Sequence, residues 1–228
     1  MALTAVPSLL ASNPPAVATY NYEDLAAGTG IIEFYPGDAS GAYMMSNNKF
    51  YSNKTMTSYN FTTNNSGAWC SDVDFDVKFN LPRTLKGTSI INIPIGIQAD
   101  TNAIVHTSKI LATIYKYDGT TPTSIASGYS DTFTMTAAAA NAYGYAMGII
   151  YLDVPSTPFK KGEYLRLNIR QFGTNGAGGS KQFFGHDPMN RATSTFNDVP
   201  FPGPGGHLTW GTDPSIATFQ VPFKIDTT

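Results

Sequence analysis

The sequence predicts an all-β protein: a two-sheet antiparallel β-sandwich of the jelly-roll type, with an extended N-terminal arm. Three observations predict it. The 228 residues include 27 Thr and 13% aromatics but only three Glu and 11 Leu, a balance that favours pleated strands over helices. Apolar and polar residues alternate along several segments, which is the period of a half-buried strand. The 21 Gly and 15 Pro fall largely between those segments and punctuate them. This composition excludes a coiled coil, a helical bundle and an acidic disordered chain.

Residues 1–30 form the arm. Pro7, Pro14, Pro15 and the Gly28-Thr29-Gly30 break leave no strand or helix period there. Leu3, Val6, Leu9, Leu10, Val17, Tyr20 and Tyr22 make the segment too apolar for a free tail. It is expected to lie on its own domain or on a neighbouring subunit, with those seven residues as the interface.

Residues 31–228 form a single sandwich domain. Ile31 to Tyr35 is the first strand, closed by Pro36-Gly37-Asp38, and Tyr43 to Tyr51 and Met56 to Phe61 are weaker ones. Ser71 to Phe79 is the cleanest: Val73, Phe75, Val77 and Phe79 point one way, Asp72, Asp74, Asp76 and Lys78 the other. Leu81-Pro82 and Lys86-Gly87 are expected to turn the chain into Thr88 to Gln98, a run apolar enough to be covered on both faces. Ile104 to Tyr117 alternates up to the Asp118-Gly119 turn. Ser124 to Thr136 reads as one solvated strand. Ala146 to Val154, Glu163 to Phe172, Gln182 to Gly185 and Ile216 to Asp226 follow. Eight to ten strands without a fixed-period repeat point to a sandwich rather than a propeller or β-helix.

Charge narrows the partners. No Lys or Arg occurs from Met1 to Asn48, where Glu23, Asp24, Glu33 and Asp38 stand alone, and the net charge is −2. A basic genome-packaging arm and a nucleic-acid footprint are therefore excluded. No apolar run reaches the roughly 20 residues of a membrane helix. Cys70 is the single cysteine, so neither an intrachain disulfide nor a Cys-based zinc site is expected.

The sharpest polar feature is the triplet Asp72, Asp74, Asp76. Successive carboxylates on one strand face lie roughly 7 Å apart, so a calcium ion held there needs further oxygens from neighbouring loops. Val77 stands where a calcium-binding helix–loop–helix motif has its glycine. The other reading is a solvent-facing strand whose like charges discourage edge pairing, and it carries more weight. The loop after Phe184 places His186, Asp187, Asn190 and Arg191 together at an Asp187-Pro188 turn, either as a ligand loop or as a brace for the sheet end, with the brace favoured. His106, His186 and His207 show no metal spacing, and no GxSxG elbow is present. Glu33 and Glu163 near strand ends read as solvated rather than as paired catalytic carboxylates. The expectation is a chain that is not an enzyme. Thirteen tyrosines in Thr/Asn-rich surroundings suit sugar stacking or protein interfaces.

Four segments carry a resemblance. Lys109 to Gly119, Phe159 to Leu167, His186-Asp187-Pro188 with Asn190-Arg191, and Val221 to Asp226 resemble small jelly-roll structural proteins of tailed bacteriophage virions, of the decoration, cement or head-auxiliary type. The resemblance implies a virion component assembled in the bacterial host cytoplasm, without catalytic residues or cofactor. Its partners would be capsid protein or other virion subunits, with self-association, and neither nucleic acid nor membrane. The alternative is a carbohydrate-binding sandwich, with calcium held by the aspartate triplet.

Overall fold

Alternation of apolar and polar side chains becomes fourteen strands among the described residues of the computed structural model, which are 29–39, 41–54, 56–61, 66–99, 104–140, 142–174, 179–190, 195–196, 208–209 and 216–224. In chain order they are β1 (Thr29–Ala39), β2 (Ala42–Ser46), β3 (Met56–Phe61), β4 (Ser66–Lys78), β5 (Arg83–Ala99), β6 (Val105–Tyr117) and β7 (Pro122–Tyr129). There follow β8 (Phe133–Thr136), β9 (Tyr143–Phe159), β10 (Tyr164–Thr174), β11 (Ser180–Gly185), β12 (Thr195–Phe196), β13 (Leu208–Thr209) and β14 (Thr218–Lys224). The expected arm interface from Leu3 to Tyr22 lies outside the described residues, and so does Arg191.

β5 is the spine of one layer. β9 pairs along one of its edges, and β14 and β11 pair in tandem along the other, with β1 beyond β14 and β3 beyond β11. The second layer runs β2–β4–β10–β6, with β7 and β8 in tandem on the outer edge of β6. β1 belongs to both layers: Thr29 to Phe34 pair with β14, and Tyr35 to Ala39 pair with β2. The two sheets are thus one continuous twelve-stranded hydrogen-bonded network. The small β12–β13 pair stands apart from it. Among the described residues every ladder is antiparallel except a single parallel bridge, Met44 opposite Asp76, an exception to the wholly antiparallel expectation.

The core is built from the inward positions of both layers. Ile91, Ile93 and Phe219 of one face Phe75, Leu167 and Ile169 of the other, all nearly or wholly buried. This is the side-chain layer that holds a sandwich together. Toward the β11 end it turns polar: Gln171 Nε2 donates to Ser108 Oγ at 2.9 Å and to the Phe183 carbonyl at 3.3 Å, and Gln182 Nε2 donates to the Thr107 carbonyl at 2.9 Å.

Four expected boundaries move for physical reasons. Pro36-Gly37-Asp38 does not end β1 but is where it crosses between sheets, with Pro36 opposite Met45. Lys86-Gly87 is no turn either. Gly87 has a φ of +122° at a register shift opposite β9, a bulge inside one long strand. Pro155 and Pro158 lie within β9, which among the described residues is hydrogen-bonded on one side only and so leaves their missing N–H groups without cost. Ser124 to Thr136 divides into β7 and β8 at Ser130, whose backbone N–H donates to the Ile110 carbonyl and whose Oγ accepts from the Ile110 N–H.

Candidate functional site

The outward face of the second layer gathers the aspartate triplet and its partners. Register sets Asp76 beside Arg166, Asp74 beside Asn168 and Asp72 beside Arg170. Arg166 donates from Nε and Nη2 to the two oxygens of Asp76 at 2.7 and 2.8 Å, and from Nη1 to Asp74 at 2.8 Å. Asn168 Nδ2 bridges Asp74, at 2.7 Å, and Asp72, while Arg170 Nε donates to Asp72 at 2.9 Å. The hydrogen bond from Arg166 to Asp76 raises the guanidinium's pKa against the opposing effect of burial. Its plane lies 3.9 Å from the ring centre of Tyr117.

These carboxylates, offered by the sequence as calcium ligands, are therefore held by guanidinium and amide donors. Among the described residues no group of three or more His, Cys, Asp or Glu is arranged to hold a metal ion. Arg166, Asn168 and Arg170 went unrecognised in the sequence. The signal was present: the polar period-two face of Arg166-x-Asn168-x-Arg170 complements that of Asp72-x-Asp74-x-Asp76.

Between β4 and β7 this face sinks into a shallow depression of about 310 Å³. Asp72 and Asp74 form one side, Tyr115 and Pro122 the other, and Arg166, Asn168 and Arg170 lie between. Asn168 is only 4% exposed, and its Oδ1 has no partner among the described residues.

The His186 loop is of a different kind. His186 and Asp187 are both fully buried. Thr57 Oγ1 and His186 Nε2 lie 3.1 Å apart, and the ring is packed edge-on by Tyr43 and Phe75. Burial pushes the imidazole down to about 4, against the pull of Asp38 and Asp187. Asp187 caps the turn through Met189 N–H at 3.2 Å and the Asn190 N–H to its carbonyl at 2.9 Å, with Asn190 at a φ of 51°. Both side chains are thus turned into the protein rather than toward solvent. Elsewhere Tyr35 donates to Glu33, a bond that pushes the phenol up to about 12, and Glu163 pairs with Lys116 at 3.0 Å.

The first layer turns a different surface outward. Met147, Ile149 and Tyr151 alternate with buried residues on the outer face of β9 and are 43, 47 and 66% exposed, and Tyr143 is exposed at the start of the same strand.

The fold defines the chain as a two-sheet β-sandwich, and comparison with solved structures agrees. An aminopeptidase from the marine sediment archaeon Thaumarchaeota archaeon matches 86% of this chain with a TM-score of 0.51 and 6% identity, over 37% of its own length. An α-amino acid ester hydrolase matches 84% with a TM-score of 0.51 and 7% identity, over 36% of its own length. The chain thus spans little more than a third of those hydrolase chains. A structure of infectious bursal disease virus, Gx strain, matches 84% at a TM-score of 0.26 and 12% identity. No family model and no curated protein matches. The likeness to hydrolases is one of fold, and it corrects the expectation that the chain is not an enzyme. Sandwiches of this shape form part of hydrolase chains, so a missing GxSxG elbow does not set this one apart from them.

Proposed function

We propose that the chain is a virion structural protein of the capsid-decoration or head-auxiliary kind, which binds neighbouring subunits through the outer face of β9. The observation that carries the reading is the stripe Tyr143, Met147, Ile149 and Tyr151 on one strand face. Soluble monomers rarely leave contiguous large apolar side chains in water, and such patches mark interfaces. A chain with only 13% charged residues fits the same use, as does the resemblance of the Lys109 to Gly119 and Phe159 to Leu167 segments to bacteriophage jelly rolls. In this reading the partner is capsid protein or another virion subunit, and the particle assembles in the host cytoplasm.

The test is gradient purification of virions from the source of the gene, with the chain quantified by mass spectrometry. It should co-band with genome-filled particles, and I149E/Y151E should stay folded yet remain in the soluble fraction. Recovery of the wild-type chain only outside particles sinks the proposal.

A further inference from the structure

The depression on the opposite layer is a site that the assembly reading leaves unused. We infer that it binds one ring of a neutral carbohydrate. Its volume of about 310 Å³ lies at the small end of ligand pockets, room for roughly ten waters' worth of ligand. That suits a single sugar ring rather than a long or bulky ligand.

Chemistry on the two sides differs in the way a sugar ring differs between its face and its edge. Tyr115 and Pro122 offer an apolar side on which the C–H face of a pyranose can stack. Across from them Asp72 and Asp74 offer carboxylate oxygens to hydroxyl donors. Each oxygen already accepts one bond from Arg166, Asn168 or Arg170. A carboxylate has about four lone-pair sites, so roughly two per residue remain for a ligand. The ladder therefore holds the acceptors in place before the ligand arrives, which lowers the ordering cost of binding.

Asn168 fixes the two acceptors from below. It lines the depression, is only 4% exposed, and its Nδ2 donates to both Asp72 and Asp74, which holds the carboxylates side by side. Arg170, by contrast, spends only Nε on Asp72 among the described residues and is partly exposed, so its terminal nitrogens are donors to ring or hydroxyl oxygens.

Charge selects within the class. Asp72 and Asp74 balance Arg166 and Arg170, and both oxygens of Asp76 are occupied by Arg166. The lining is neutral overall, which favours an uncharged sugar over a sialic or uronic acid. No cation is required, because guanidinium groups already neutralise the carboxylates.

The test is saturation-transfer NMR on the full chain with glucose, galactose, mannose and N-acetylglucosamine, and with sialyllactose as the acidic comparator. At least one neutral sugar should show transfer at about 10 mM, a concentration that detects millimolar affinity. Y115A and D74N should each weaken it about tenfold or more, the size expected of a lost stacking or charged contact. R170A, at an exposed position, serves if either variant loses its near-UV circular dichroism. Y151A on the other layer should bind as wild type, and EDTA should change nothing. Silence of all four neutral sugars overturns the inference. So does binding unchanged in every depression variant, binding abolished by EDTA, or a preference for sialyllactose. The site does not rest on the virion reading, and either can fail alone.

Discussion

Arg166 grips Asp76 with two parallel hydrogen bonds of 2.7 and 2.8 Å, and in the same plane extends a third to Asp74. Two strands separated by some ninety residues of chain are locked in register by one planar group. A one-residue slip of β10 against β4 would break all three bonds at once and turn the aspartates against Leu165 and Leu167.

That geometry requires a planar fork, so Arg166→Lys should cost about 1–2 kcal/mol even though charge is kept. Urea unfolding should show a lower midpoint at unchanged slope. A midpoint equal to wild type would mean that the third bond and the fork contribute nothing.

Gln171 is wholly buried and donates both to Ser108 Oγ and to the Phe183 carbonyl. Replacing it by Met keeps length and removes the donors, leaving two buried acceptors poorer by one bond each. The expected loss is about 1–3 kcal/mol, read as a lower melting temperature in calorimetry. A rise in melting temperature would show that the polar end of the core is not stabilised by this amide.

At Gly96 the constraint is space. An added Cβ would fall 2.1 Å from the Phe183 ring, which is fully buried. Gly96→Ala should therefore destabilise by about 2 kcal/mol or more through overpacking, with amide exchange accelerated in β11. Unchanged protection of β11 amides would contradict it.

His186 gives the chain an acid sensitivity. Burial holds its imidazole at about 4 in the folded state, whereas an unfolded histidine titrates near 6.5. The unfolded chain thus binds the extra proton first as pH falls. Stability from this group is complete above about 6.5 and is lost progressively down to about 4, by up to about 3 kcal/mol. Thermal scans from pH 7 to pH 5 should show a falling melting temperature in wild type and a flatter profile in His186→Gln. Parallel profiles would remove His186 as the cause.

Much of this architecture was legible in local spacing. The faces of Ser71 to Phe79, of Ile110 to Tyr117 and of Leu165 to Ile169 stand where their period of two puts them. The candidate site was legible only by half. Asp72, Asp74 and Asp76 declare a shared face, but which strand lies alongside is a long-range fact that local spacing does not carry. Arg166, Asn168 and Arg170 therefore stayed hidden until the register was known. Pro36-Gly37 and Lys86-Gly87 misled for a related reason. Turn chemistry also serves a strand that must cross between sheets or bulge, and tertiary pairing decides which use prevails. His186 and Asp187 left a ligand loop and a brace both open in the sequence, with the brace favoured, and the complete burial of both side chains is again a long-range fact that local spacing does not carry.

The placement of β14 has a consequence for biosynthesis. It inserts between β5 and β1, so the layer that contains Ile91 and Ile93 stays open until residues 218–224 have left the ribosome. The layer built on β5 cannot close before then, although β4, β10 and β6 of the other layer can already be paired, and the nascent chain carries an uncovered spine of isoleucines meanwhile. Folding of this kind waits on distant pairings. Pairing of β5 with β14 is therefore a late step, reached only after more than a hundred further residues of chain have been made.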